Sequence, residues 1–471
     1  MSSVNFTKYD AFGFDMDFTL ARYELVPFFN MVYDCVRKYL VEVKKYDASI
    51  FHRLQEDKEL IYKGLIVDFE KGNILKLGSD GVILRATHGT QKMTAAEIER
   101  DYGAERKFGD YDIFKNGMKS IDSKWRFFEN YFDTPGLVAF AKIIDYMHKA
   151  GTEEGRTTFE HIWKDVLNAL EDMYIPSQYA QDKGAYFPEM KKNIGKYIDP
   201  ASQQIKDWLK SLRQDNRVVF LLTSSYVDFA HLVMEHVFGS EWKSLFDFTL
   251  YAGRKPRFFT ESKPFSVVED GLKLGGEVKS LTSGGAYCYG NHVDLMDFLR
   301  ETTGKTDPKV IYFGDNLWAD AWPSKTLGKW DTVLILEEMD AEGYAVSDGT
   351  VPGHEDEVED PDAPPKKRKR KYEHSTLVTD EEIELMVSEF WGSIFIDDSQ
   401  AAGSDSQDQS FTDSKTVNTA FGNLIGQFAD ICVPSIEYLA GVPVDHVFTT
   451  FSKEPGNSRG FHPGRPRSLL P

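Results

Sequence analysis

The chain has 471 residues, 41% hydrophobic and 28% charged, enough for two or three globular domains with sizeable cores. Its 55 Lys and Arg against 75 Asp and Glu leave a formal net charge of −20, which excludes general nucleic-acid binding, because phosphate backbones are held by basic surface. Three widely spaced cysteines (Cys35, Cys288, Cys432), no apolar leader and no apolar run of about 18 residues predict a soluble cytoplasmic protein with no membrane partner.

The first element lies in "YDAFGFDMDFTLARY", from Tyr9, where a nearly continuous apolar run closes on Asp15 and Asp17. Such a run is what a buried parallel strand looks like when its carboxyl end opens onto a ligand crevice. Next, "VPFFNMVYDCVRKYLVEVKK" spaces Phe28, Val32, Val36, Leu40 and Val43 at three- and four-residue steps behind Pro27, which predicts a helix with one buried face. Alternation around Gly72-Asn73 and Asp80-Gly81 predicts a β-meander over about 64–88. From about Thr94 to Gln214 the pattern is mostly helical, with Trp125, Phe127, Phe128, Tyr131 and Phe132 as packing aromatics. Its last helix is expected to start at Asp199 as N-cap, with Pro200 at its first position and Ile205, Trp208, Leu209 and Leu212 inside.

Short apolar runs then return in "RVVFLLTSS", "FDFTLYAGRKP", "KVIYFGDNLWAD" and "DTVLILEEM", alternating with helical stretches, as in a parallel α/β sheet. The strand near residue 12 belongs with them, so the residues between form an insertion, read as a large cap. The expected organisation is a core of residues 1–24 and 200–343, a mainly helical cap over 25–199, a disordered acidic and basic loop over 344–376, a C-terminal element over 377–451 packed on the core, and a flexible tail over 452–471.

Four features fall in chain order at the carboxyl ends of expected strands: Asp15 with Asp17, Thr223-Ser224-Ser225, Lys255, and Asp315 with Asp320. Together they are what phosphoryl transfer through an aspartyl-phosphate requires. Two unit charges about 4 Å apart repel by about 1 kcal/mol in water and about 4 kcal/mol at an effective dielectric of about 20, so carboxylates gathered on a phosphate need a cation. Magnesium on Asp15, Asp315 and a backbone carbonyl would supply it. Thr223, Ser224 and nearby backbone N–H groups can donate to phosphoryl oxygens, and Lys255 places a compact positive charge on the nucleophile and the transferring group. Asp17, two residues beyond Asp15 and so on the same face, can act as general acid and then general base.

"FDMDFTL", "LLTSS", "RKP" and "GDNLWAD" resemble the four motifs of the haloacid dehalogenase superfamily, and the DMDFTLxxY form resembles its cytosolic purine 5'-nucleotidase branch. The likeness covers about residues 9 to 90 and 200 to 340, not the stretch between about Gly103 and Asp199, where substrate choice should lie. The resemblance implies a Rossmann-like core with the cap inserted between the first two motifs. It implies Asp15 as nucleophile, Asp17 as acid and base, Thr223, Ser224 and Lys255 on the phosphate, and magnesium on Asp15, the Asp17 carbonyl and Asp315, with Asp320 in support. The expected activity is magnesium-dependent hydrolysis of a small phosphate monoester, a nucleoside 5'-monophosphate being the leading class. The alternatives are a weakly catalytic phosphate-binding protein with a partner-binding role and a receiver-like phospho-acceptor; the long insertion and the second aspartate speak against the latter. The run Lys366, Lys367, Arg368, Lys369, Arg370 and Lys371 reads as an address for a nuclear-import receptor or a local nucleic-acid contact, or as a solvated loop balancing the acidic stretch before it.

Overall fold

In a computed structural model, residues 3–52, 54–119, 123–151, 159–342, 378–398 and 416–451 are described; the expected loop over 344–376, its basic run and the tail over 452–471 lie outside them. The apolar runs become strands of one nine-stranded sheet: β1 (Ala11–Phe14), β2 (Val218–Leu222), β3 (Phe248–Tyr251), β4 (Phe265–Glu269), β5 (Lys273–Val278), β6 (Ala286–Tyr289), β7 (Val310–Gly314), β8 (Asp331–Ile335) and β9 (Ile431–Val433). Their spatial order is β5-β4-β6-β3-β2-β1-β7-β8-β9. From β6 to β9 every pair is parallel, whereas β4 runs antiparallel to β6 and carries β5 as a hairpin. β1, β2 and β7 are buried throughout, which is why they read as unbroken apolar runs rather than alternating ones. Gly13 sits at the centre of β1 because a Cβ there would lie 2.5 Å from the Phe220 ring and 2.7 Å from the Tyr312 ring.

Between β1 and β2 the chain leaves the sheet and builds a second layer. The helix Leu25–Glu42 buries Phe28, Val32, Val36 and Leu40 against the helices Thr134–Lys149 and Glu160–Met173, each such side chain contributing about 1.5–3 kcal/mol. Val43, expected on that face, instead caps the helix and is 56% exposed. The meander forms as Leu65–Asp68, Asn73–Leu77 and Ile83–His88, all antiparallel. It is extended by Gln91–Lys92 on one side and by Trp125–Phe128 on the other, giving five strands. The aromatic run from Trp125 is therefore a strand within the stretch expected to be mostly helical; its side chains do pack inside.

The last helix before β2 spans Gln203–Leu212 and buries Ile205, Trp208, Leu209 and Leu212 as expected, but its cap is Ser202, whose Oγ accepts from the Ile205 N–H. Asp199 is drawn away by Arg22, 2.7 Å from its carboxylate. The C-terminal residues reach both layers. β9 pairs in parallel with β8, while Asp397, buried, takes Lys76 (2.7 Å) and Arg85 (2.8 Å) from the five-stranded sheet. Among the described residues no helix is long and apolar enough to cross a membrane.

Candidate active site

Strand order assembles the site. β3, β2, β1 and β7 are consecutive neighbours, all parallel, so residues just past their carboxyl ends share one edge of the sheet. Phe14 is opposite both Phe313 and Leu221, which sets Asp15 beside Asp315 and brings Thr223 next to them. The turn after β3 returns Lys255 beneath the same edge, with the Lys255 N–H donating to Ser224 Oγ (3.1 Å).

Lys255 is the hub. Its ammonium, 2% exposed, lies 2.9 Å from Asp15 Oδ1 and 2.5 Å from Asp320 Oδ1, and donates to the Tyr312 hydroxyl (2.8 Å), which in turn donates to the Leu222 carbonyl (2.8 Å). Burial works against its charge, but Asp15 and Asp320 outweigh that and hold it well above the ordinary lysine value. Asp320 is carried by the π-helical turn Leu317–Ala321, which Asn316 caps by accepting from the Ala319 N–H (2.6 Å). It tucks against Gly314, where any Cβ would come within 2.4 Å of its carboxyl carbon. Burial, then the charge of Asp15, push Asp320 up to about 7 in spite of Lys255. Asp315 is likewise held well above the carboxylate range by burial and by the charges of Asp320 and Asp15, with Lys63 opposing.

Asp15, Asp315 and Asp320 each bring one carboxylate oxygen within 4.8 Å of the others. Asp17 stands apart from this group. Its two oxygens accept from the Tyr23 hydroxyl (2.7 Å) and from Ser225 Oγ (2.8 Å), and burial followed by the charge of Asp15 raises it to about 6 while those two hydrogen bonds pull it down. The carboxylate cluster is therefore Asp15, Asp315 and Asp320 rather than one that includes the Asp17 side chain. Thr223 is fully buried, with Oγ1 accepting from the Ser225 N–H (3.1 Å), and Ser224 is exposed at the rim.

A cavity of about 360 Å³ opens above these residues. Its floor holds Asp15, Asp17, Thr223, Lys255 and Asp315, and its walls carry aromatic side chains from the insertion and from the helix after β2. All residues singled out from the sequence are thus brought to one place. Sequence reasoning did not assign roles to Tyr23 and Tyr312, which hold Asp17 and Lys255; Tyr23 was visible as the last residue of DMDFTLxxY. Nor did it find Lys63, fully buried 3.1 Å from Glu338 and nearest in charge to Asp315, or Glu129, whose carboxylate accepts the Trp318 N–H at 3.0 and 3.1 Å. Neither carries a local signal.

Residues 1–454 match the family model described as the 5' nucleotidase family, and the chain belongs to that family. Its class is thereby a phosphoric monoester hydrolase. Among named proteins it is similar to the human 5'-nucleotidase domain-containing protein 1, 35% identical over 466 residues that cover 98% of this chain and 96% of that one. The protein of the same name from Bos taurus is 33% identical over the same shares. The rat 5'-nucleotidase domain-containing protein 2 is 27% identical over 347 residues, 72% of this chain and 59% of that one.

Proposed function

We propose that the chain is a magnesium-dependent phosphohydrolase with a haloacid dehalogenase-like core, a cap formed by the insertion between β1 and β2, and a nucleoside 5'-monophosphate as substrate. The observation that carries this reading is Lys255 bridging Asp15 and Asp320 within a buried carboxylate cluster, with a separately held, protonatable Asp17 beside it.

The residues fit the metal: three carboxylates converge with oxygen donors alone, and burial has already raised two of them towards neutrality, which marks a site short of positive charge. Asp15, Asp315 and Asp320 are the side chains that would hold magnesium, with the Asp17 carbonyl in reach by the family motif. Bound there, the ion supplies charge neutralisation at the phosphoryl oxygens.

Asp15 attacks phosphorus; its Oδ–P bond forms as the P–O bond to the leaving alcohol breaks. Asp17, raised to about 6 and so partly protonated near neutral pH, gives its proton to that leaving oxygen. Tyr23 and Ser225 fix both oxygens of Asp17, so the proton is delivered from one orientation. Water then attacks the aspartyl-phosphate, Asp17 takes the water proton, and phosphate leaves with Asp15 restored. Lys255 and the hydroxyls of Thr223 and Ser224 stabilise charge on the transferring group.

The test is steady-state hydrolysis of an aryl phosphate and a panel of nucleoside monophosphates, with and without magnesium, by wild type, Asp15→Asn and Asp17→Asn. Turnover that needs magnesium and both aspartates is expected. Absence of magnesium-dependent turnover above the Asp15→Asn background refutes the reading.

A further inference from the structure

The cavity above the carboxylates has walls whose chemistry differs sharply from its floor. Tyr179 comes from the short helix Pro176–Gln181, Phe187 from Tyr186–Asn193 and Phe229 from Val227–Phe238. The three rings meet edge to face: Tyr179 and Phe187 at 5.4 Å and 89°, Phe187 and Phe229 at 5.4 Å and 68°, Tyr179 and Phe229 at 6.1 Å and 74°. Such a cluster is a rigid apolar surface suited to a planar ring.

Charge on the same walls is one-sided. Among the described residues that line the cavity, Lys255 is the single basic one, against Asp15, Asp17, Asp133, Asp228 and Asp315. Lys255 is taken up by Asp15 and Asp320. Asp133 is engaged by Arg126 and by Asn130 Nδ2 (3.2 Å). Asp228 is different. It lies half-buried in the first turn of the helix that follows Thr223-Ser224-Ser225, next to the Phe229 ring residue, and among the described residues its carboxylate accepts from the Phe229 N–H at Oδ1 (2.8 Å). Its charge is also felt by the Tyr179 phenol.

We infer that this wall is a leaving-group subsite selecting a planar ring that bears an amino group, with Asp228 as the specificity-determining residue; the inference rests on the phosphohydrolase reading for the orientation of the substrate. An amino group donates to the Asp228 carboxylate in a charge-assisted hydrogen bond. A ring that presents a carbonyl at the same position sets lone pairs against the carboxylate and leaves both unpaired, and a second phosphate meets the same acidic wall with no cation to hold it. Cytosine and uracil have the same size and differ in an amine for a carbonyl at one position, as adenine and hypoxanthine do. The subsite therefore discriminates within each pair.

The experiment measures kcat/KM of the full chain, with magnesium, on cytidine against uridine 5'-monophosphate and on adenosine against inosine 5'-monophosphate. A preference of about tenfold or more for the amine of each pair is expected, as for a site built to pair with a donor. Asp228→Asn, whose amide can offer either a donor or an acceptor, brings both ratios close to one; Asp228→Glu keeps their direction. Ratios near one in the wild type, or ratios unchanged in Asp228→Asn, overturn the inference. Saturation-transfer NMR with the nucleosides cytidine and uridine reads the same preference without any phosphate chemistry. If no phosphate ester is hydrolysed, the phosphohydrolase reading fails by itself, and stronger saturation of cytidine than of uridine, lost in Asp228→Asn, still supports the subsite; equal saturation of the two refutes it.

Discussion

Replacing Lys255 with Met separates its electrostatic role from its packing, because Met fills a similar volume without charge. The wild-type ammonium is 2% exposed and compensates Asp15 at 2.9 Å and Asp320 at 2.5 Å. Removing one partner of a buried pair leaves an uncompensated charge and costs about 3–5 kcal/mol. That loss is within the stability of an ordinary domain, so the variant still folds. The sign with pH follows. Loss of Lys255 raises the folded-state pKa of Asp320 further, so the stability it retains is full below its unfolded value and is lost as pH rises through the raised one. The deficit of Lys255→Met relative to wild type should therefore be small near pH 4 and grow to its full size by about pH 8. Urea unfolding of the metal-free protein at a series of pH values measures it, and added magnesium should recover more stability in the variant than in wild type. A deficit that does not change with pH, or a variant as stable as wild type at pH 8, refutes the charge account of Lys255.

Asp17→Asn should lower kcat by about 10²–10⁴ and leave a phosphorylated Asp15 detectable as a mass increase of the acid-quenched protein, because loss of the proton carrier slows hydrolysis of the intermediate more than a structural defect would. Gly314→Ala places a methyl within 2.4 Å of the Asp320 carboxyl carbon, so Asp320 must be expelled; overpacking of this kind costs about 1–3 kcal/mol, and magnesium binding by calorimetry should weaken with it. Glu129 and Glu337 are both raised by burial to about 8, so each contributes stability that is full below its unfolded value and is lost as pH rises through 8. His231 and His292, whose pKa values are lowered by burial, oppose this below the ordinary histidine value of 6.5. The melting temperature of the metal-free protein should therefore fall between pH 6.5 and 8, and Glu129→Gln should flatten that fall.

The centre was legible because its chemistry is written at strand ends. Asp15, Thr223, Lys255 and Asp315 each follow an apolar run, and in a parallel sheet such ends necessarily share an edge. The hairpin of β4 and β5 has a weak signature in the sequence, although Asp270-Gly271 marks its turn: β5 is mostly exposed and carries Gly275 and Gly276, which dilute its alternation. Trp125–Phe128 is four residues long, and a short apolar run has no period that tells strand from helix. Ser202 and Asp199 are equally good caps locally; the choice between them was made by Arg22, 177 residues away. Glu129 and Lys63 meet residues about 190 or more positions later, Trp318 and Glu338 respectively, which no local pattern encodes.

Those two residues change how the charge of the centre is balanced. The buried carboxylates Asp15, Asp315, Asp320 and Glu338 and the half-buried Asp17 face two buried ammonium groups, Lys255 from the turn after β3 and Lys63 from the insertion, so full ionisation leaves 5 − 2 = 3 negative charges unmatched. Burial first, and then that surplus, hold Asp17, Asp315 and Asp320 above the ordinary carboxylate range. Proton uptake by Asp17 and occupancy by one divalent cation are then competing ways to reduce it. A cation on Asp15, Asp315 and Asp320 lowers the pressure on Asp17 to stay protonated, while an arriving phosphate dianion restores it. Asp17 would carry its proton when substrate is bound and give it up when the alcohol has left, which is the order that the proposed hydrolysis through Asp15 demands.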